Sequence, residues 1–206
     1  MNRQLLTAGL LATLLSAGCA TTPIAERYVA PPQGSTWVAA RRDTGSFGSG
    51  NVQLASKMGE RMWQGQKLNA YQSQELTLLA RPTGDWVAQV KGDTPLISWD
   101  PPVTWNWPLE VGKTGTRSFR VTIHAAKRTI PVEDRWTVEA YEDVTVPAGT
   151  FKAFRVRTTD NAGSDNLNWF SPELGIFVKS SLRRTAKHAQ GPGTRDIELV
   201  SHTIRR

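Results

Sequence analysis

From Thr36 onward, apolar and polar residues alternate in short runs. Phe119, Val121 and Ile123 are interleaved with Arg120 and Thr122, and Trp136, Val138 and Ala140 with Thr137 and Glu139. Phe154 and Val156 alternate with Arg155 and Arg157, and Ile197 and Leu199 with Glu198. A period of two sends one set to a core and the other to water, which is the signature of half-buried strands. Turn-forming clusters separate the runs: Arg81-Pro82-Thr83-Gly84-Asp85, Lys91-Gly92-Asp93, Pro147-Ala148-Gly149-Thr150, Asp160-Asn161-Ala162-Gly163 and Gln190-Gly191-Pro192-Gly193. No segment sustains a helical stripe. Gly59 to Gln74 reads as two strands around Gln64-Gly65-Gln66, and Trp99-Asp100-Pro101-Pro102 as a stiff loop within the domain. The pattern therefore predicts an all-β domain over 36–206, an antiparallel β-sandwich or partly open barrel. Residues 19–35 carry Thr21-Thr22-Pro23 and Pro31-Pro32-Gln33-Gly34 with little apolar periodicity, and read as a flexible tether.

The first eighteen residues have a different character. One charge, Arg3, precedes the uncharged run Leu5 to Leu15, and small residues Ser16-Ala17-Gly18 precede Cys19. A charged start, an apolar stretch of about 7–15 residues and a small-residue cleavage site make a secretory signal. The run is too short to span a bilayer as a helix, which takes ~20 residues. Leu14-Leu15-Ser16-Ala17-Gly18-Cys19 resembles the lipobox of bacterial lipoproteins, with Ser16 where that family prefers Leu. The resemblance implies a diacylglyceryl group on the Cys19 thiol, cleavage before Cys19 and a further acyl chain, such as palmitate, on the new amine. Each buried CH₂ of such chains adds ~0.8 kcal/mol to membrane attachment. Ala20 after the cysteine, rather than Asp, implies by the same resemblance the outer membrane, with the periplasmic face expected. Cys19 is also the only cysteine, so no internal disulfide is available and the fold depends on its apolar core.

Three further motifs carry a second resemblance. Trp107-Pro108-Leu109-Glu110-Val111-Gly112-Lys113-Thr114, Val144-Thr145-Val146-Pro147-Ala148-Gly149-Thr150-Phe151 and Asn168-Trp169-Phe170-Ser171-Pro172-Glu173-Leu174-Gly175-Ile176 occur in that order. Together they resemble a group of uncharacterised bacterial periplasmic and lipoprotein β domains that includes TapB-like proteins. The resemblance covers about residues 95–185 and implies a β fold and an envelope location. It brings no catalytic residue. Each motif also has a local cause, since Pro147 presets φ for a turn and Gly149 tolerates positive φ. Gly112-Lys113-Thr114 is not a phosphate-binding loop, because Trp107 stands where the leading Gly is required.

The net charge is +7, lowered by one if Arg3 leaves with the signal. In an exported protein this excess suits anionic head groups or cell-wall polymer better than nucleic acid. His124, His188 and His202 have no ligand-like spacing, so neither metal nor other cofactor is expected. Glu133-Asp134 and Glu142-Asp143 read as solvated edges beside turns, and no Gly-x-Ser-x-Gly element places a serine nucleophile. The unusual feature is tryptophan, with eight residues. Trp37, Trp86 and Trp136 lie on alternating runs and read as core. Trp99, Trp105 and Trp107 cluster around Pro101-Pro102 and are the candidate ligand-binding residues, for stacking on a sugar or receiving an apolar group. The expectation is a membrane-anchored, non-enzymatic binding or structural domain with an envelope protein, lipid or glycan partner. The alternative is a cell-wall-polymer hydrolase whose site is assembled from distant residues.

Overall fold

The computed structural model describes residues 23–205. The signal segment 1–18, Cys19 and the start of the expected tether lie outside them. Among the described residues there is no helix. The strands, in chain order, are β1 (Ile24–Ala25), β2 (Thr36–Gly45), β3 (Gly50–Trp63), β4 (Gln66–Ser73), β5 (Thr77–Ala80), β6 (Trp86–Lys91) and β7 (Thr94–Val103). They continue with β8 (Leu109–Glu110), β9 (Thr114–Ile123), β10 (Arg128–Val146), β11 (Gly149–Asp160), β12 (Ser164–Ser171), β13 (Ile176–Arg184) and β14 (Gly193–His202).

Twelve of these form a closed, antiparallel, up-and-down barrel in which each strand pairs with its chain neighbour and β14 returns to β2. Closure leaves the barrel itself without an edge strand to template pairing with another chain. The closing seam carries the longest-range ion pair: Arg195 Nε and Nη2 donate to the two carboxylate oxygens of Asp43 at 2.8 and 2.9 Å. Those hydrogen bonds hold the Asp43 carboxyl below its usual range, with burial opposing them. Arg41 touches Asp43 at 3.1 Å and donates to Glu75.

The hairpins follow local chemistry. Gln64 and Gly65 both have positive φ (46° and 76°), the requirement of a two-residue turn whose twist matches its strands. Pro147-Ala148 turns β10 into β11, with Val146 paired to Gly149. Trp99-Asp100-Pro101-Pro102, expected as a loop, lies inside β7. The prolines are accommodated by a bulge: Ala88 pairs with Ser98 but Trp86 with Val103, so Pro101 and Pro102 have no ladder partner. That is where a residue without an N–H can sit in a sheet.

A round barrel of twelve strands would enclose more space than its own side chains fill. Here β6 and β13, six places apart in the ring, are bridged by Trp86 and Phe177, whose ring centroids are 6.4 Å apart. The barrel is also occupied by the short sheet of β1 and β8, whose Ala25 and Leu109 bury against Trp136, Val138, Phe154, Val156 and Phe170. The described part of the expected tether is thus a packed strap. Ile24 pairs with Glu110, Pro31 is buried, and Gly34 and Ser35 hydrogen-bond to Met58. Polar composition misled here because the strap packs through single residues rather than a periodic face.

Ion pairs dress the strands: Lys67 with Glu60, Lys152 with Asp143, Arg157 with Asp165 and Lys179 with Glu198. The exposed large apolar residues, Ile24, Val29, Val52, Met62 and Val111, are scattered. The continuous lipid-facing band of a membrane-spanning barrel is not built by the described residues.

Candidate functional site

The candidate site is an apolar cavity of about 280 Å³. Its wall follows the register of the sheet. Trp37 is paired with Ser56 and Ala39 with Leu54, Tyr71 with Leu78, and Ser180 with Ile197; all eight line the cavity. Alternation therefore gives one continuous face across β13, β14 and β2 to β5. Trp86, Trp105, Trp107, Phe170 and Phe177 complete the wall. No charged side chain lines it; its hydroxyl groups are those of Ser56, Ser73, Ser180, Tyr28 and Tyr71.

The aromatic groups touch edge to face or tilted. Trp105 packs on Phe177 at 5.0 Å and on Trp86 at 5.7 Å, and Trp107 packs on Phe170 at 5.4 Å. Such pairs contribute ~0.5–1.5 kcal/mol beyond area burial, so the wall is stiff. The loop carrying Trp105 and Trp107 is held from outside the cavity. Arg117 makes a two-pronged bond to Asp134, at 2.8 and 2.5 Å, and donates to the Thr104 carbonyl at 2.5 Å. Lys113 Nζ donates to the carbonyls of Asn106 and Pro108, at 2.9 and 2.8 Å. The lysine of the Gly-Lys-Thr motif thus serves a loop rather than a phosphate.

One end of the cavity is covered by Tyr28 from the strap. Its hydroxyl donates to the Gly175 carbonyl at 3.1 Å, which leaves the Tyr71 hydroxyl to donate to Tyr28. Gly175 closes the β12–β13 hairpin at φ 70°, so the Ser-Pro-Glu-Leu-Gly motif places a backbone acceptor at the cavity. Burial pushes the Tyr71 phenol up to about 12. Gly84 supports the same ring: a Cβ there would lie 2.8 Å from Tyr28 Cγ.

The tryptophan trio is split. Trp105 and Trp107 line this cavity, whereas Trp99 lines a second, more polar cleft and touches the first only through Trp86, 6.0 Å away. Trp136 is buried, as expected of core, but Trp37 and Trp86 are half-buried cavity walls. Alternation put Trp37 on the same face as Ala39, as observed, but a register shift between Trp86 and Ala88 turns Trp86 to the cavity, and the period showed neither that nor the open space in front of both. Tyr28, Tyr71 and the three serines were missed, because isolated hydroxyl residues in strands carry no sequence signal.

The acidic pairs are also partly corrected. Asp134 is buried on Arg117, and Glu142 is half-buried, accepting from Arg155 and from Trp169 Nε1. Glu133 and Asp143 are solvent-exposed. Among the described residues no group of three His, Cys, Asp or Glu side chains converges as metal ligands.

No family model and no curated protein matches the chain. Among solved structures it is similar to the hypothetical lipoprotein YmcC from Escherichia coli K12, at TM-score 0.45 and 14% identity over 82% of this chain and 84% of that one. A protein of Parabacteroides distasonis ATCC 8503 described as a lipoprotein gives TM-score 0.44 and 10% identity, over 87% and 99%. A protein of Bacteroides fragilis NCTC 9343 described as exported, with a YmcC-like fold, gives 0.43 and 12%, over 86% and 99%. At these scores the likeness carries no information on ligand or activity.

Proposed function

We propose that this chain is a non-enzymatic binding protein whose barrel holds one uncharged apolar group, an acyl chain, and that Cys19 anchors it by lipid to the outer membrane, facing the periplasm. The observation that carries the binding reading is the cavity of about 280 Å³ whose wall contains no charged side chain. An ionised head group inside such a wall would go unpaired at a cost of several kcal/mol, so a charged head stays at the mouth. The hydroxyls of Tyr28 and Tyr71 offer a neutral polar end, with Tyr71 held protonated well beyond neutral pH by burial. The volume sits at the small end of ligand pockets, ~300–1,000 Å³, which suits one chain rather than several. A hydrolase reading lacks comparable support: Asp134, Glu139 and Glu142 are each held by an arginine.

The test is native mass spectrometry of the exported Cys19→Ser chain, purified without detergent, together with displacement of a fluorescent fatty acid. The expected result is one co-purified acyl-chain mass per protein and saturable displacement. Clean protein that also fails to take up the fluorescent fatty acid sinks the reading.

A further inference from the structure

The sheet that walls the cavity has a second side. Tyr71 and Leu78 face the cavity, so their neighbours Ala70 and Leu79 face the other way, where they pack with Leu68, Ala88 and Val90. Over Leu68 and Ala88 lies a second cleft, of about 310 Å³, between the β3–β4 hairpin and the proline bulge of β7. We infer that this cleft is a saccharide-binding site, in which Trp63 and Trp99 supply the stacking faces and Gln64, Gln66, Arg81 and Asp100 the hydrogen bonds.

Sugar recognition needs two things at once: flat apolar faces for the ring C–H groups, and a mixture of donors and acceptors for the hydroxyls. Both are present. Trp63 and Trp99 line the cleft together. The amides supply donor and acceptor, the guanidinium donors only and the carboxylate acceptors only. These polar groups are uncommitted. The side chains of Gln64, Gln66, Arg81 and Asp100 make no hydrogen bond to the rest of the described protein, whereas Arg41, Arg155, Arg157 and Arg195 are all bound to carboxylates. The Nε1–H groups of Trp63 and Trp99 also have no acceptor among the described residues and are available to a ligand.

Backbone geometry adds a second observation. Gln64 sits at φ 46°, a left-handed position that favours Gly or Asn. A long amide held there at a steric cost projects from the hairpin at the cleft rim. Ser98 Oγ on β7 and His124 Nε2 in the β9–β10 turn are hydrogen-bonded at 3.0 Å, which fixes a polar side of the cleft. Arg81 and Asp100 are of opposite sign, so the cleft suits a neutral sugar. Its volume is at the small end of ligand sites, ~300–1,000 Å³, fitting a terminal residue or a short stretch of glycan.

The test is NMR of the tryptophan indole N–H signals in the exported Cys19→Ser chain, titrated to millimolar concentration with triacetylchitotriose, maltotriose, cellotriose and mannotriose. At least one should shift the Trp63 and Trp99 signals saturably and leave Trp136 and Trp169 in place. Gln66→Ala and Asp100→Asn change exposed side chains with no internal bond, so both should fold, and each should weaken binding about tenfold. A fluorescent fatty acid added to the same sample reports on the first cavity independently through Trp37 and Trp107. If no probe moves Trp63 or Trp99, or if both variants bind unchanged, the inference is overturned.

Discussion

Ala39 stands on the cavity wall, paired with Leu54 and half-buried. Replacing it by Leu distinguishes a real cavity from a packed core, because the two predict opposite signs. Leu adds three carbon atoms, each worth ~0.8 kcal/mol when fully buried. Since the site is half-open, about half of that sum is realised, so Ala39→Leu should stabilise ligand-free protein by roughly 1 kcal/mol. In a close-packed core the same change forces side chains off their rotamers and costs ~1–3 kcal/mol. For a chain of this size 1 kcal/mol moves the melting temperature by about 2–4 °C. The assay is thermal and urea unfolding of protein stripped of any co-purified lipid, with fatty-acid uptake measured in parallel. The variant should melt slightly higher and take up less fatty acid. A fall in melting temperature of several degrees in stripped protein would show that the space is already filled, and the cavity argument would fail.

Asp134→Ala leaves the buried Arg117 guanidinium without its carboxylate and should cost about 3–5 kcal/mol, read as a lower urea midpoint at unchanged slope. It should also loosen the Trp105 loop, seen as faster hydrogen exchange at 104–107. Gly84→Ala puts a Cβ 2.8 Å from the Tyr28 ring at a position with φ +87°, so the strap should detach and residues 24–30 become protease-sensitive; unchanged digestion would refute the role of Tyr28 as a packed cover. The Tyr71 phenol is raised in the folded state to about 12 from an ordinary value near 10. The folded protein therefore holds its proton longer, and this contribution is complete below pH 10 and lost as pH rises from 10 to 12. The loss is on the order of 2–3 kcal/mol. Tyr71→Phe should remove that alkaline dependence, and a variant as alkali-sensitive as the parent would assign it elsewhere.

How far the sequence reaches is visible in individual elements. Alternation located the β runs around Phe119, Trp136, Phe154 and Ile197, and Gln64-Gly65, Pro147-Ala148 and Pro172-Gly175 marked true hairpins, because these signals depend only on neighbours in the chain. The same information stops at the edge of each hairpin. That Arg195 meets Asp43 across the closing seam, or that Arg117 buries Asp134, depends on partners that no local pattern names. The strap was illegible because a two-residue strand and one tyrosine have no period to read.

The sequence by itself determined the alternation, the turns and the faces on which Trp37 and Trp136 lie. Only the tertiary structure decided which of those faces meets packed atoms and which meets space. Trp136 is buried among Val138, Val156 and Phe170, whereas Trp37 and Trp86 border the cavity. The physical reason is that a side chain's direction is set by its own backbone, while the gap in front of it is set by a strand on the far side of the ring.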